Sequence, residues 1–115
     1  MDQGQARELV AGFVAAFHAA AGSEDLSPIA SVATDEAQAS FLVESHSATR
    51  MPLASRAAVP AGARLEVDLD RIELPGPGTI VTRFTGHGFT RPDFTGEVTL
   101  RVHDGKVAGV HFDAP

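Results

Sequence analysis

Histidine, carboxylate and serine side chains are the groups in this chain that can move a proton or attack an electrophile. Cysteine is absent, which excludes thiol nucleophiles, disulfides, iron–sulfur clusters and cysteine-ligated zinc. The five histidines are His18, His46, His87, His103 and His111. None pairs as H-x-x-x-H or joins a neighbouring carboxylate in a metal-ligand motif, so no metal site and no cofactor are expected. Ser40, Ser45 and Ser47 lie near His46, but no G-x-S-x-G elbow exists to present a serine nucleophile. The glycines of Gly86-His87-Gly88 do not make a dinucleotide loop, because Thr90-Arg91-Pro92 forbids the helix that must follow one. Acid–base chemistry is what remains. A carboxylate suits it wherever partial desolvation strengthens it as a base.

The chain that must position these groups has 115 residues, enough for one domain over 1–115, with no repeat and no linker. Hydrophobic residues make up 43% and charged residues 21%, a globular composition whose core needs neither disulfide nor metal. The net charge of −6, with eight arginines and one lysine scattered along the chain, argues against nucleic acid and anionic membranes as partners. Residues 9–21 are apolar and end in small residues, yet the stretch before them lacks the positive charge of a secretion signal. A cytoplasmic location is therefore expected.

Leu9, Phe13 and Phe17 recur at helical spacing with Val10 and Val14 beside them. Asp2 and Gln5 can form a capping box at the start, and Gly22 is a natural stop. His18 follows Val14 by four residues, at the edge of the apolar stripe. A short second helix follows, with Pro28 in its first turn and Leu26, Ile29 and Val32 on one side. Residues 38–44 read as a short strand. The segment 45–62 is broken by Met51-Pro52 and Val59-Pro60 and has room for one or two helical turns. Strands then follow over 64–74, 79–89, 94–103 and 107–112. The phase shift near Asp70-Arg71 predicts a bulge, Pro75-Gly76-Pro77-Gly78 a turn, and Asp104-Gly105 a two-residue hairpin.

Alternation sorts the strand side chains onto two faces. Leu65, Val67, Leu69, Ile80, Phe84, Val98, Leu100, Val102, Val110 and Phe112 share one, which must pack on the helices. Glu66, Asp68, Asp70, Arg83, His87, Glu97, Arg101, His103, His111 and Asp113 share the other. The expected fold class is α+β: two or three N-terminal helices packed on one face of a curved, bulged antiparallel sheet. The charged face suits a homodimer in which Arg83, Arg101, Glu97 and Asp68 pair across a two-fold axis.

This order of elements resembles the nuclear transport factor 2-like superfamily, the cystatin-like α+β cone. Residues 83–113 resemble the C-terminal half of SnoaL-like domains: a Gly/Thr-rich strand, a loop, a strand, the Asp104-Gly105-Lys106 hairpin and a final strand ending in Asp113. The resemblance implies a conical pocket between helices and sheet. It also implies either a cofactor-free acid–base isomerase, cyclase, dehydratase or epoxide hydrolase, or a non-catalytic ligand-binding or dimerisation module. In either case the partner is a small apolar metabolite. On that reading Phe13, Phe17, His18, Phe41, Phe84, Leu100 and Val110 line the pocket. Asp113 or His46 is the base, with His87 as its partner. The segment 45–62 is too short for the family's third helix. With no Tyr or Trp in the chain, the tyrosine oxyanion donor of ketosteroid isomerase is also missing.

Overall fold

A computed structural model describes residues 1–43 and 49–115. Helix α1 (Gln3–Ala21) opens on the expected capping box: Asp2 accepts from the Gln5 amide and the Gln5 side chain accepts from the Asp2 amide. Helix α2 (Ser27–Val32) carries Pro28 in its first turn. Seven strands follow: β1 (Ala33–Val43), β2 (Thr49–Pro52), β3 (Arg64–Val67), β4 (Glu73–Gly76), β5 (Thr79–His87), β6 (Phe94–His103) and β7 (Lys106–Ala114). They form one sheet in the order β2-β1-β7-β6-β5-β3, with β4 also paired to β5. The sheet is curved and unclosed, and α1 packs on its concave side, giving the α+β cone.

Three local features depart from expectation. The sheet is mixed, because β1 runs parallel to β7. Short-range pattern shows that a strand exists, whereas its direction is decided by the crossover that brings it home. The predicted strand over 64–74 is two strands, β3 and β4, each pairing with β5. The chain between them leaves the ladder, and the Asp68 carbonyl is taken up by the buried Thr82 hydroxyl. In the proline-broken segment, Thr49–Pro52 pairs with β1 as an edge strand instead of coiling, and turns carry the chain on to β3. A single i to i+4 bond, from the Val59 amide to the Ser55 carbonyl at 2.8 Å, is its one described helical turn.

Helix α1 is fastened to this region by polar contacts. Gln3 donates to the Ile72 carbonyl at 3.0 Å, Arg7 pairs with Asp70 at 3.0 Å, and the Gly62 amide donates to the Ala21 carbonyl at 2.8 Å. Arg56 donates to the Ala20 carbonyl at 2.8 Å and also to that of Ser23. The carbonyls left over at the end of α1 thus find partners on the chain that closes the cone.

The core between α1 and the sheet is built from paired large and small residues. Phe84 on β5 stands opposite Gly96 on β6, and Phe94 on β6 opposite Gly86 on β5. A Cβ on Gly86 would lie 3.0 Å from the Phe94 ring and 3.2 Å from that of Phe89. A Cβ on Gly96 would lie 2.0 Å from the Asp113 carbonyl oxygen, where β6 approaches β7. A ring can tilt away, but a strand in a ladder cannot move alone. Gly86→Ala is therefore expected to cost about 1 kcal/mol, and Gly96→Ala to reach or exceed the upper end of the roughly 1–3 kcal/mol range for overpacking. Urea denaturation of both variants checks the ranking. A Gly96→Ala protein as stable as the parent would contradict this packing.

Candidate functional site

At the open end of the cone, β1, β2 and the loop joining β5 to β6 surround a recess of about 300 Å³. Phe41, Phe89 and Phe94 form its apolar walls, Met51 of β2 and Pro60 close one side, and Arg91 stands at the rim. The Arg91 guanidinium carbon lies 5.2 Å from the Phe94 ring centre, a cation–π distance. The rings are held from behind: Phe41 stacks on Phe112 at 4.7 Å, Phe89 stacks on Phe17 at 6.0 Å, and Phe94 meets Phe84 edge-on at 5.5 Å. Among the described lining residues, Arg91 is the one ionisable group.

Of the side chains expected to line a pocket, Phe41 does so. Phe13, Phe17, Phe84, Leu100 and Val110 are each 3% exposed or less and fill the cone behind the recess. That placement corrects the expectation that these side chains line a deep cavity: among the described residues they pack into the core with the aliphatic rows of β5 to β7, and the recess lies at the mouth. His18 is half-buried, and its Nε2 accepts the Leu65 amide at 3.0 Å. It thereby satisfies a donor on β3, the last strand of the sheet, and fixes the neutral ring with its proton on Nδ1.

The expected catalytic groups do not meet at the recess. Asp113 is exposed on the convex face directly opposite Glu97, which has Arg83 on its other side. His87 is on the same face, with Nδ1 2.6 Å from Asp93 and Nε2 3.2 Å from Glu66. The reason is the strand period: odd-numbered residues of β5, and those of β7 from Gly109 onward, past the register shift that leaves Val107 in the core, point away from the helices, whatever their chemistry. His46 lies outside the described residues. Among the described residues, no three metal-ligating side chains converge, and no helix is long and apolar enough to cross a membrane.

Phe89, Phe94, Met51 and Arg91 went unread in the sequence as site residues. For Phe94 the signal was available, since running the alternation back from Val98 through Gly96 places it on the concave face. Phe89 follows Gly88, whose φ of 72° breaks the strand phase, so no periodic argument reaches it.

No protein-family model matches the sequence, and no curated relative does. Solved structures match it along almost its whole length. An NTF2-like protein of unknown function from Mesorhizobium loti has a TM-score of 0.67 at 17% identity, covering 98% of this chain and 93% of that one. An LEH-like epoxide hydrolase from M. tuberculosis has a TM-score of 0.60 at 20% identity, covering 96% and 83%. A candidate SnoaL-like polyketide cyclase from Jannaschia sp. has 0.61 at 17%, covering 93% and 83%. The chain has the nuclear transport factor 2-like, cystatin-like cone fold.

His18 serves that fold rather than the recess. Replacing it by leucine strands the Leu65 amide and is expected to cost about 1–3 kcal/mol in urea unfolding. A loss below about 0.5 kcal/mol would mean that water takes over that donor.

Proposed function

We propose that the recess binds a small apolar ligand with a flat ring system, and that the protein is a ligand-binding module of the cone fold. The observation that carries this reading is the convergence of Phe41, Phe89 and Phe94 on a space of about 300 Å³. That volume is at the small end of the roughly 300–1,000 Å³ typical of ligand sites. Burying one face of a ring against three others gains hydrophobic contact at little entropic cost, because rings and ligand are already rigid. Proteins of this fold include those named as an epoxide hydrolase and a SnoaL-like cyclase, names that denote chemistry on small organic molecules, which supports a small-molecule ligand. Asp113 and His87 have no part in it, since both stand on the other face of the sheet. Binding is what the described residues of the recess are equipped to do.

2-Naphthol is a suitable probe, and its fluorescence is unobscured in a chain without Trp or Tyr. The parent protein is expected to bind it saturably. Ala57 is exposed on the recess wall, so Ala57→Trp should fill the space while leaving the melting temperature within a degree or two. Calorimetry should show at least a tenfold weaker affinity for this variant, about 1.4 kcal/mol. Absence of binding by the parent, or undiminished binding by Ala57→Trp, would refute the assignment.

A further inference from the structure

The convex face carries a second recess, of about 350 Å³, on the opposite side of the sheet from the aromatic one. Gln38 and Ser40 of β1 and His111 of β7 form its floor, and Arg50 of β2 and Arg101 of β6 stand around it. Among the described residues no carboxylate lines it, in a chain whose net charge is −6. Arg7, Arg64 and Arg71 each lie within 3.6 Å of an acidic side chain. Arg50 and Arg101, by contrast, form no ion pair with any described residue.

Arg101 is positioned by a missing side chain. Gly109 faces it across the β6–β7 ladder, and a Cβ there would lie 2.4 Å from Arg101 Nη2 and about 3 Å from its Nε and Cζ. The guanidinium therefore lies over Gly109, and Gln38, the residue paired with Gly109 on β1, lines the same recess. The floor contributes a further donor. Ser40 Oγ and His111 Nδ1 are 2.6 Å apart. If the hydroxyl donates, the ring keeps an Nε2–H; if the ring donates, the hydroxyl proton is left over. Either arrangement leaves one donor on the floor.

We propose that this recess is a binding site for the phosphate group of a small phosphomonoester. Two guanidinium forks match the charge and the several oxygens of a dianion. The floor donors add hydrogen bonds, and the two guanidinium groups with no carboxylate among the described lining residues favour an anion. The recess also has room for an organic portion beside the phosphate. The site is separate from the aromatic recess, so its test stands apart from that reading.

Glycerol 3-phosphate and inorganic phosphate are titrated into 15N-labelled protein at constant ionic strength, with chloride as the reference anion. Saturable shifts of the Arg101 side-chain and Gly109 amide signals are expected, with the ester binding more tightly than inorganic phosphate. Arg101→Gln should weaken binding at least tenfold, and Arg7→Gln, which removes the same charge elsewhere, should leave it unchanged. Gly109→Ala is the sharper variant: it displaces a flexible side-chain end, keeps the net charge, and should weaken binding as much as Arg101→Gln. Equal weakening by Arg7→Gln, or full affinity in Gly109→Ala, would overturn the proposal by reducing the effect to general charge. So would sedimentation showing a dimer that Arg101→Gln dissociates, because carboxylates of a second copy would then occupy the recess.

Discussion

Phe41, Phe89, Phe94, Phe84 and Phe112 form a closed circuit of ring contacts, each ring touching the next at 4.7 to 6.2 Å. Phe17 joins this circuit through Phe89, and Phe13 joins through Phe17, so every phenylalanine of the chain belongs to one network. Each pair contributes about 0.5–1.5 kcal/mol beyond the area it buries. The members come from α1, from β1, β5, β6 and β7, and from the loop after β5. The network is thus the point at which helix, parallel strand and antiparallel meander are tied together. It also determines where a ligand can go. Rings pack the core, and Phe41, Phe89 and Phe94 also line the recess at the mouth.

The sheet divides the chemistry of the molecule into two compartments. Its concave side is apolar, and the one buried polar side chain among the described residues, Thr82, is satisfied by a carbonyl. Its convex side carries Asp113 and His87, the described residues that invite catalytic assignments, and there they meet other charged side chains. His87 sits between Glu66 and Asp93, and Glu97 stands opposite Asp113 with Arg83 on its other side. Asp113 and His87 on one hand and the apolar recess on the other therefore occupy opposite sides of one layer of backbone. This separation is why the aromatic recess is read as a binding site.

Much of this was legible in the amino-acid order. The period of Leu9, Phe13 and Phe17, the Asp2–Gln5 cap and the Asp104-Gly105 turn each act over a few residues, and each is found where the local rule puts it. Face assignment was equally local, and it had already placed His87, Asp113, Arg101 and His111 on the solvated side. Choosing Asp113 and His87 as a base and its partner set the family pattern above that assignment, and the geometry follows the alternation. Long-range facts were not legible. The parallel β1–β7 pair, the β2 edge strand and the division of 64–74 all depend on contacts across the fold. Part of the recess wall comes from Pro60 and a six-residue loop, whose positions no periodicity describes.

The central claim is that phenylalanine packing closes the cone and confines a ligand to its mouth. Intermolecular nuclear Overhauser effects from bound 2-naphthol in methyl-labelled protein test it most directly. Met51 lines the mouth, whereas Leu100, 1% exposed, lies in the filled interior. The account predicts contacts from the probe to the Met51 methyl group and to the ring protons of Phe41 and Phe89, with none to the Leu100 methyls. Strong contacts to Leu100 would show that the probe penetrates between helix and sheet, and would contradict it.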